Sequence, residues 1–193
     1  MKIAIIADNL GNNAPGLVFR NILTGLSKKI EFDIITSTLD YRAPKEHRGS
    51  VNYVPQKRIP SWRLRTFLFN IFGFYHTQKK WAKDIQGILN SKAYDVVVSL
   101  MSSAFYASVM AADIFVSHRK VKHICYCVDA VPAPFPWEKE GMYTSAMKRC
   151  VRKYMQKVNV LCMTNQEMLT YELGIIGGSA KSIKRDIASK ITN

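Results

Sequence analysis

Residues 2–36 read KIAIIADNLGNNAPGLVFRNILTGLSKKIEFDIIT, and this stretch decides the fold class. Lys2–Ala7 is a short apolar run with no polar alternation, the pattern of a strand buried on both faces of a parallel sheet. It ends in Asp8-Asn9 and a loop holding Gly11, Pro15 and Gly16. Phe19, Ile22, Leu23 and Leu26 then fall at i, i+3, i+4 and i+7, one apolar face of a helix. Phe32–Thr36 supplies a second strand, and the whole is a β-α-β unit.

The same kind of run recurs downstream. Tyr94–Leu100 (YDVVVSL), Lys122–Val128 (KHICYCV) and Val158–Met163 (VNVLCM) predict further strands, with helical patterns between them at 103–117 and 141–157. The expected fold is α/β: a doubly wound parallel sheet in three α/β/α layers, as a single domain. At 193 residues the chain has room for one domain of ordinary size. Hydrophobic residues at 48% and charged residues at 22% exclude wholesale disorder, collagen-like repeats and a disulfide miniprotein.

The charge balance is strongly basic: 28 Lys plus Arg against 14 Asp plus Glu give a net charge of +14. Such a field favours polyanionic partners: a phospholipid surface, a nucleic acid or a phosphorylated ligand. The cysteines, Cys125, Cys127, Cys150 and Cys162, lack paired metal-ligand spacing and follow no secretory leader. Buried thiols, a cytoplasmic location and no metal site are expected. No run of about eighteen uncharged apolar residues predicts a membrane-spanning helix.

Residues 42–92 hold eleven Lys/Arg against only Glu46 and Asp84. The second half of this region reads as one long helix. Leu64, Phe67, Leu68, Ile71, Phe72 and Tyr75 form its expected core-facing stripe, and Trp62 and Phe69 point the opposite way beside Arg65, His76, Lys80 and Lys83. Aromatic anchors among cations are the composition of an interfacial helix, so Trp62, Arg65, Phe69, Lys80 and Lys83 are candidate contacts to an anionic membrane surface on the inner face of the plasma membrane. Cover by another segment is the competing expectation for Trp62 and Phe69. The tail, 176–193, reads as a short terminal helix or a connector, with Ile183, Ile187 and Ile191 at every fourth position.

Loops outside the carboxyl ends of parallel strands are where such a fold binds ligands. The first, Asp8–Gly16, is neither GxGxxG nor a Walker A sequence, which removes support for hydride-transfer cofactors and P-loop NTPases. Ser102 and Ser103 follow the Tyr94–Leu100 strand and serve either a ligand or a helix cap. No GxSxG elbow surrounds them, which argues against a Ser/His/Asp hydrolase. The loop from Cys127 to Trp137 carries three prolines and the acid Asp129. A carboxylate there either accepts substrate hydroxyls, exchanges a proton or braces the loop, and Trp137 is placed to stack on a sugar.

Taken in order, KIAIIADN with its Gly-containing loop, EFDIIT, YDVVVSLMSSAFYASVMAA, HICYCVDAVP and CVRKYMQKVNVLCMTNQEMLTYEL resemble the N-terminal half of a GT-B glycosyltransferase of the family-four-like type, over residues 1–175. The resemblance implies a Rossmann-like domain that binds the acceptor, a glycan or a lipid-linked glycan. It implies a second domain, missing here, that binds a nucleotide-sugar donor, with 176–193 leading toward it. It places Pro15 and Gly16 toward the donor phosphates, and Asp129, Ser102, Ser103 and Thr164 on the acceptor side, with Asp129 the catalytic candidate. The first loop lacks the common double glycine, and His123 starts its strand instead of ending it. Without the donor half, the chain is expected to be inactive and to carry no cofactor of its own. The alternative reading is a non-catalytic basic module that holds nucleic acid or a phosphorylated ligand; no recognisable nucleic-acid-binding signature supports the former.

Overall fold

A computed structural model describes residues 1–57, 61–102, 106–177 and 184–187, with the side chains of Trp62, Arg65 and 184–187 outside the description. The strands are β1 (Ile3–Ala7), β2 (Asp33–Thr36), β3 (Val51–Tyr53), β4 (Val96–Met101), β5 (Lys122–Cys127), β6 (Val160–Met163) and β7 (Lys184–Ile187). They form one sheet in the order β3-β2-β1-β4-β5-β6-β7, and every pairing is parallel. The order reverses between β1 and β4, so the sheet is doubly wound as expected.

The helices are α1 (Ala14–Ser27), α2 (Trp62–Phe72), α3 (His76–Asp84), α4 (Gln86–Asn90), α5 (Ala107–Val116), α6 (Met142–Met155) and α7 (Gln166–Ile176). Strand side chains alternate between two cores. Ile3, Ile5, Ala7, Ile34, Val96 and Leu100 meet Phe19 and Leu23 of α1 on one face. Ala4, Ile6, Ile35, Val97, Met101, Cys125 and Cys127 meet residues of α2–α7 on the other. The result is the three-layer arrangement, and Cys125, Cys127 and Cys150 are buried thiols. Among the described residues no helix is long and apolar enough to cross a membrane.

The basic region departs from the expected single helix. Gly73 ends α2 with φ +73°, in the left-handed region that glycine reaches without strain, and its N–H bonds the Phe69 carbonyl at 2.7 Å. The chain restarts as α3 after Tyr75. On α2 the competing expectation holds for Phe69, which another segment covers, and most of the stripe expected to face the core does not. Phe69 is only 9% exposed, with its ring 4.5 Å from Tyr75 and 5.7 Å from Tyr143 of α6. Leu64, Phe67, Ile71 and Phe72, expected to face the core, are 48%, 60%, 42% and 53% exposed. Phe69 is therefore a core residue and no membrane contact. The close approach of Gly73 to the Ala146 backbone of α6 turns the Phe69 side of α2 onto α6.

Within the tail, Lys184–Ile187 is a strand paired in parallel with β6. The remaining tail residues lie outside the described ones.

Candidate functional site at the carboxyl edge of the sheet

Parallel pairing brings the carboxyl ends of the central strands to one edge. Ala7 pairs with Leu100, Met101 with Cys127, and Cys127 with Met163. The residues that follow these strands, Asp8, Ser102, Asp129 and Thr164, therefore lie along that edge in strand order β1, β4, β5, β6. Thr164 Oγ1 donates to the Val128 carbonyl at 3.3 Å, which ties the end of β6 to the end of β5. Asn165 caps α7 by accepting from Met168 N at 2.8 Å, so a helix starts beside Thr164.

The first loop is held by its own asparagines. Asn9 Oδ1 accepts from Gly11 N at 3.0 Å, Asn13 Oδ1 accepts from Gly16 N at 3.0 Å, and Asn9 Nδ2 donates to Asn13 Oδ1 at 2.9 Å. Leu10 N donates to Thr38 Oγ1 at 2.8 Å, and Arg20 Nε donates to the Leu10 carbonyl at 2.6 Å. Pro15 occupies the first turn of α1, where a missing N–H costs nothing. Gly16 is buried, and a Cβ on it would lie 2.2 Å from the Gly11 carbonyl oxygen, so glycine is required for the loop to close on the helix. The Gly16 N–H is already taken by Asn13, so that donor is not available to a ligand.

Asp8 was not singled out as a site residue, yet it stands at the point where the strand order reverses. It is buried, its Oδ2 accepts from Ala107 N at 3.1 Å at the start of α5, and burial pushes its carboxyl up to about 7. The signal in the sequence was an acid directly after the first apolar run. Ser102 is buried, and its Oγ has no hydrogen-bond partner among the described residues. Ser103 lies outside them.

Asp129 is half-buried, and desolvation raises its pKa above the ordinary carboxylate range. Its carbonyl accepts from Cys127 Sγ at 2.7 Å, which folds the loop back over the strand end. Trp137 is 80% exposed at the far end of this loop, its N–H donating to the Pro134 carbonyl at 3.0 Å. The loop is braced from beneath by Glu172 of α7, also missed from the sequence. Glu172 is fully buried, its Oε2 accepts from Val131 N at 3.1 Å, and burial pushes it up to about 8. Its position three residues from Leu169 and from Ile175, both buried, was the available signal.

The structure brings Pro15, Gly16, Ser102, Asp129 and Thr164 to one edge and leaves Lys80 and Lys83 on the separate, exposed surface of α3. His123 is apart from both. It is buried at the start of β5, 2.8 Å from Ser99 Oγ through Nε2, and burial holds its imidazole down at about 3. Among the described residues no cluster of three His, Cys, Asp or Glu is arranged to hold a metal ion.

This Rossmann-like sheet with its carboxyl-edge loops is a fold shared with a solved structure that holds a sugar nucleotide. Over 97% of its length the chain superposes on the E. coli trehalose-6-phosphate structure bound with UDP-2-fluoro glucose, with a TM-score of 0.56 and 8% identity, covering 48% of that chain. A UDP-glucose: anthocyanidin 3-O-glucosyltransferase in complex with UDP is similar over 96% of this chain and 52% of its own, with a TM-score of 0.47 and 11% identity. The chain thus spans about half the length of these structures. No protein-family model matches the chain, and no curated protein matches it by sequence.

Proposed function

We propose that the chain is the acceptor-binding half of a nucleotide-sugar-dependent glycosyltransferase that acts on a membrane-associated glycan or lipid-linked acceptor, with the donor bound by a second domain. The observation that carries this reading is the gathering of Asp8, Ser102, Asp129 and Thr164 along one sheet edge, in a fold shared with a sugar-nucleotide-bound structure. Glycosyl transfer develops positive charge on the sugar and negative charge on the leaving diphosphate. The cations and donors that meet the diphosphate come mainly from the second domain, and this chain orients the acceptor hydroxyl. Asp129 is the group that accepts that hydroxyl's hydrogen bond and takes up its proton. Its desolvated carboxyl is a stronger base than an exposed aspartate. Trp137 offers an aromatic face to a sugar ring, and Pro15 and Gly16 border the donor side. The reaction takes place in the cytoplasm at the inner membrane face.

The test is a titration of the 193-residue chain with a lipid-linked oligosaccharide, followed by tryptophan fluorescence. Saturable binding that weakens at least tenfold in Asp129→Asn is expected, with no sugar transferred from any nucleotide sugar by this chain alone. Robust turnover by the isolated chain overturns the two-domain reading, and binding of RNA in place of any glycan favours the non-catalytic module.

A further inference from the structure

The outward face of α2 is largely uncovered among the described residues. Leu64, Phe67, Ile71 and Phe72 are all exposed by two-fifths or more and follow one another along the helix at i, i+3, i+7 and i+8. Scattered exposed apolar residues are ordinary, but four large ones on a single helical face are a contiguous apolar patch. The patch runs into a cavity of about 390 Å³ between the end of α2 and α3, whose walls include Phe72, Phe74, His76, Lys79, Lys80 and Lys83. Phe72 and Phe74 stand 5.9 Å apart, and Lys79 Nζ lies 5.8 Å from the Phe74 ring centre. Asp84 is the acid of this wall, 3.8 Å from Lys80 across one helical turn.

An apolar stripe bordered by lysines matches one chemistry: acyl chains beside anionic headgroups. An interfacial helix sinks its apolar face into the headgroup boundary and keeps its cations at the phosphate level. Arg63, exposed in the first turn of α2, adds a further cation to the same helix. A second protein surface would need an acidic rim around an apolar centre; a bilayer containing anionic lipid supplies both at once. We propose that the outward face of α2, with Lys79, Lys80 and Lys83 of α3, docks the chain on an anionic phospholipid bilayer, and that the cavity beside Phe72 takes a headgroup phosphate. The docking face is thus the stripe opposite Phe69. The proposal stands apart from the sugar-transfer reading, because docking requires neither donor nor acceptor.

The experiment is sedimentation of the full chain with vesicles of phosphatidylcholine alone and of phosphatidylcholine mixed with phosphatidylglycerol. Wild type partitions to the mixed vesicles and is released by salt. Lys79→Gln/Lys80→Gln/Lys83→Gln lowers that partitioning about a hundredfold, and Phe67→Ser/Ile71→Ser lowers it at least tenfold, with circular dichroism showing both variants folded. As an independent readout, Phe67→Trp shifts its emission to shorter wavelength on the mixed vesicles. Equal binding to both vesicle types, an unaffected lysine variant, or an unshifted tryptophan overturns the proposal. So does a chain that ignores vesicles and is a dimer broken by Phe67→Ser/Ile71→Ser, which would make the face a contact between two copies.

Discussion

Gly73 lies so close to Ala146 that a Cβ at position 73 would fall 2.2 Å from the Ala146 carbonyl oxygen. The end of α2 therefore rests directly on the backbone of α6, and only a residue without a side chain permits it. Gly73→Ala forces both the contact and a positive φ to give way, and a loss of about 2 kcal/mol or more is expected. Thermal unfolding monitored by circular dichroism checks it; a melting temperature equal to wild type would place α2 elsewhere.

The facing of α2 makes a paired prediction. Phe69→Ala empties the site between Tyr75 and Tyr143 and costs about 3 kcal/mol. Phe67→Ala, two residues earlier and outward, changes stability by no more than about 0.5 kcal/mol. Chemical denaturation of the two variants measures the difference directly, and equal costs would contradict the burial of Phe69.

Glu172 carries a pH dependence. Its carboxyl is pushed from the ordinary 4.5 up to about 8 in the fold, so between those values the native state holds a proton that the unfolded chain has released. Stability therefore falls as pH rises through this window. Asp8, raised to about 7, acts in the same direction over a lower range, while His123, lowered from 6.5 to about 3, makes stability fall as pH drops below 6.5. The window from 6.5 to 8 isolates the carboxyls. There the wild-type melting temperature declines, and Glu172→Gln, which keeps an acceptor for Val131 N–H, removes much of that decline. A variant with the wild-type slope would show that Glu172 ionises normally.

For Asp129, the expected outcome is kinetic. With a donor half present, Asp129→Asn lowers kcat or kcat/KM by about a hundredfold and leaves the melting temperature unchanged. An aspartate that merely braces its loop would do the opposite, lowering stability and sparing turnover.

The strands that read clearly from sequence were the central ones, largely buried in the sheet. Ile3–Ala7, Val96–Met101 and Lys122–Cys127 are apolar enough to announce themselves. Val51–Tyr53 is three partly exposed residues that became a strand by pairing with β2, and no local pattern marks it. Lys184–Ile187 is four residues and still more polar, and among the described residues it pairs with β6 alone. Helical periodicity revealed that α2 has two faces but not which one is covered, because the deciding contact, Gly73 on Ala146, joins residues 73 positions apart in sequence. The edge residues Ser102, Asp129 and Thr164 were legible because they follow recognisable strands. Glu172 was not, because a buried acid on an apolar helical face has meaning only once Val131 is seen above it.

The parallel register also bears on how the chain folds. Within each half of the sheet, β1 to β3 and β4 to β6, each strand pairs with the next in sequence, so each half can form by successive local closures. The β1–β4 junction is different: Ala7 meets Leu100 only after about ninety intervening residues have been gathered in, including the whole basic region. Contacts of such long range slow folding. Each half of the sheet is thus built from short-range pairings, and the edge that carries Asp8 is completed last, when the two halves of the sheet join.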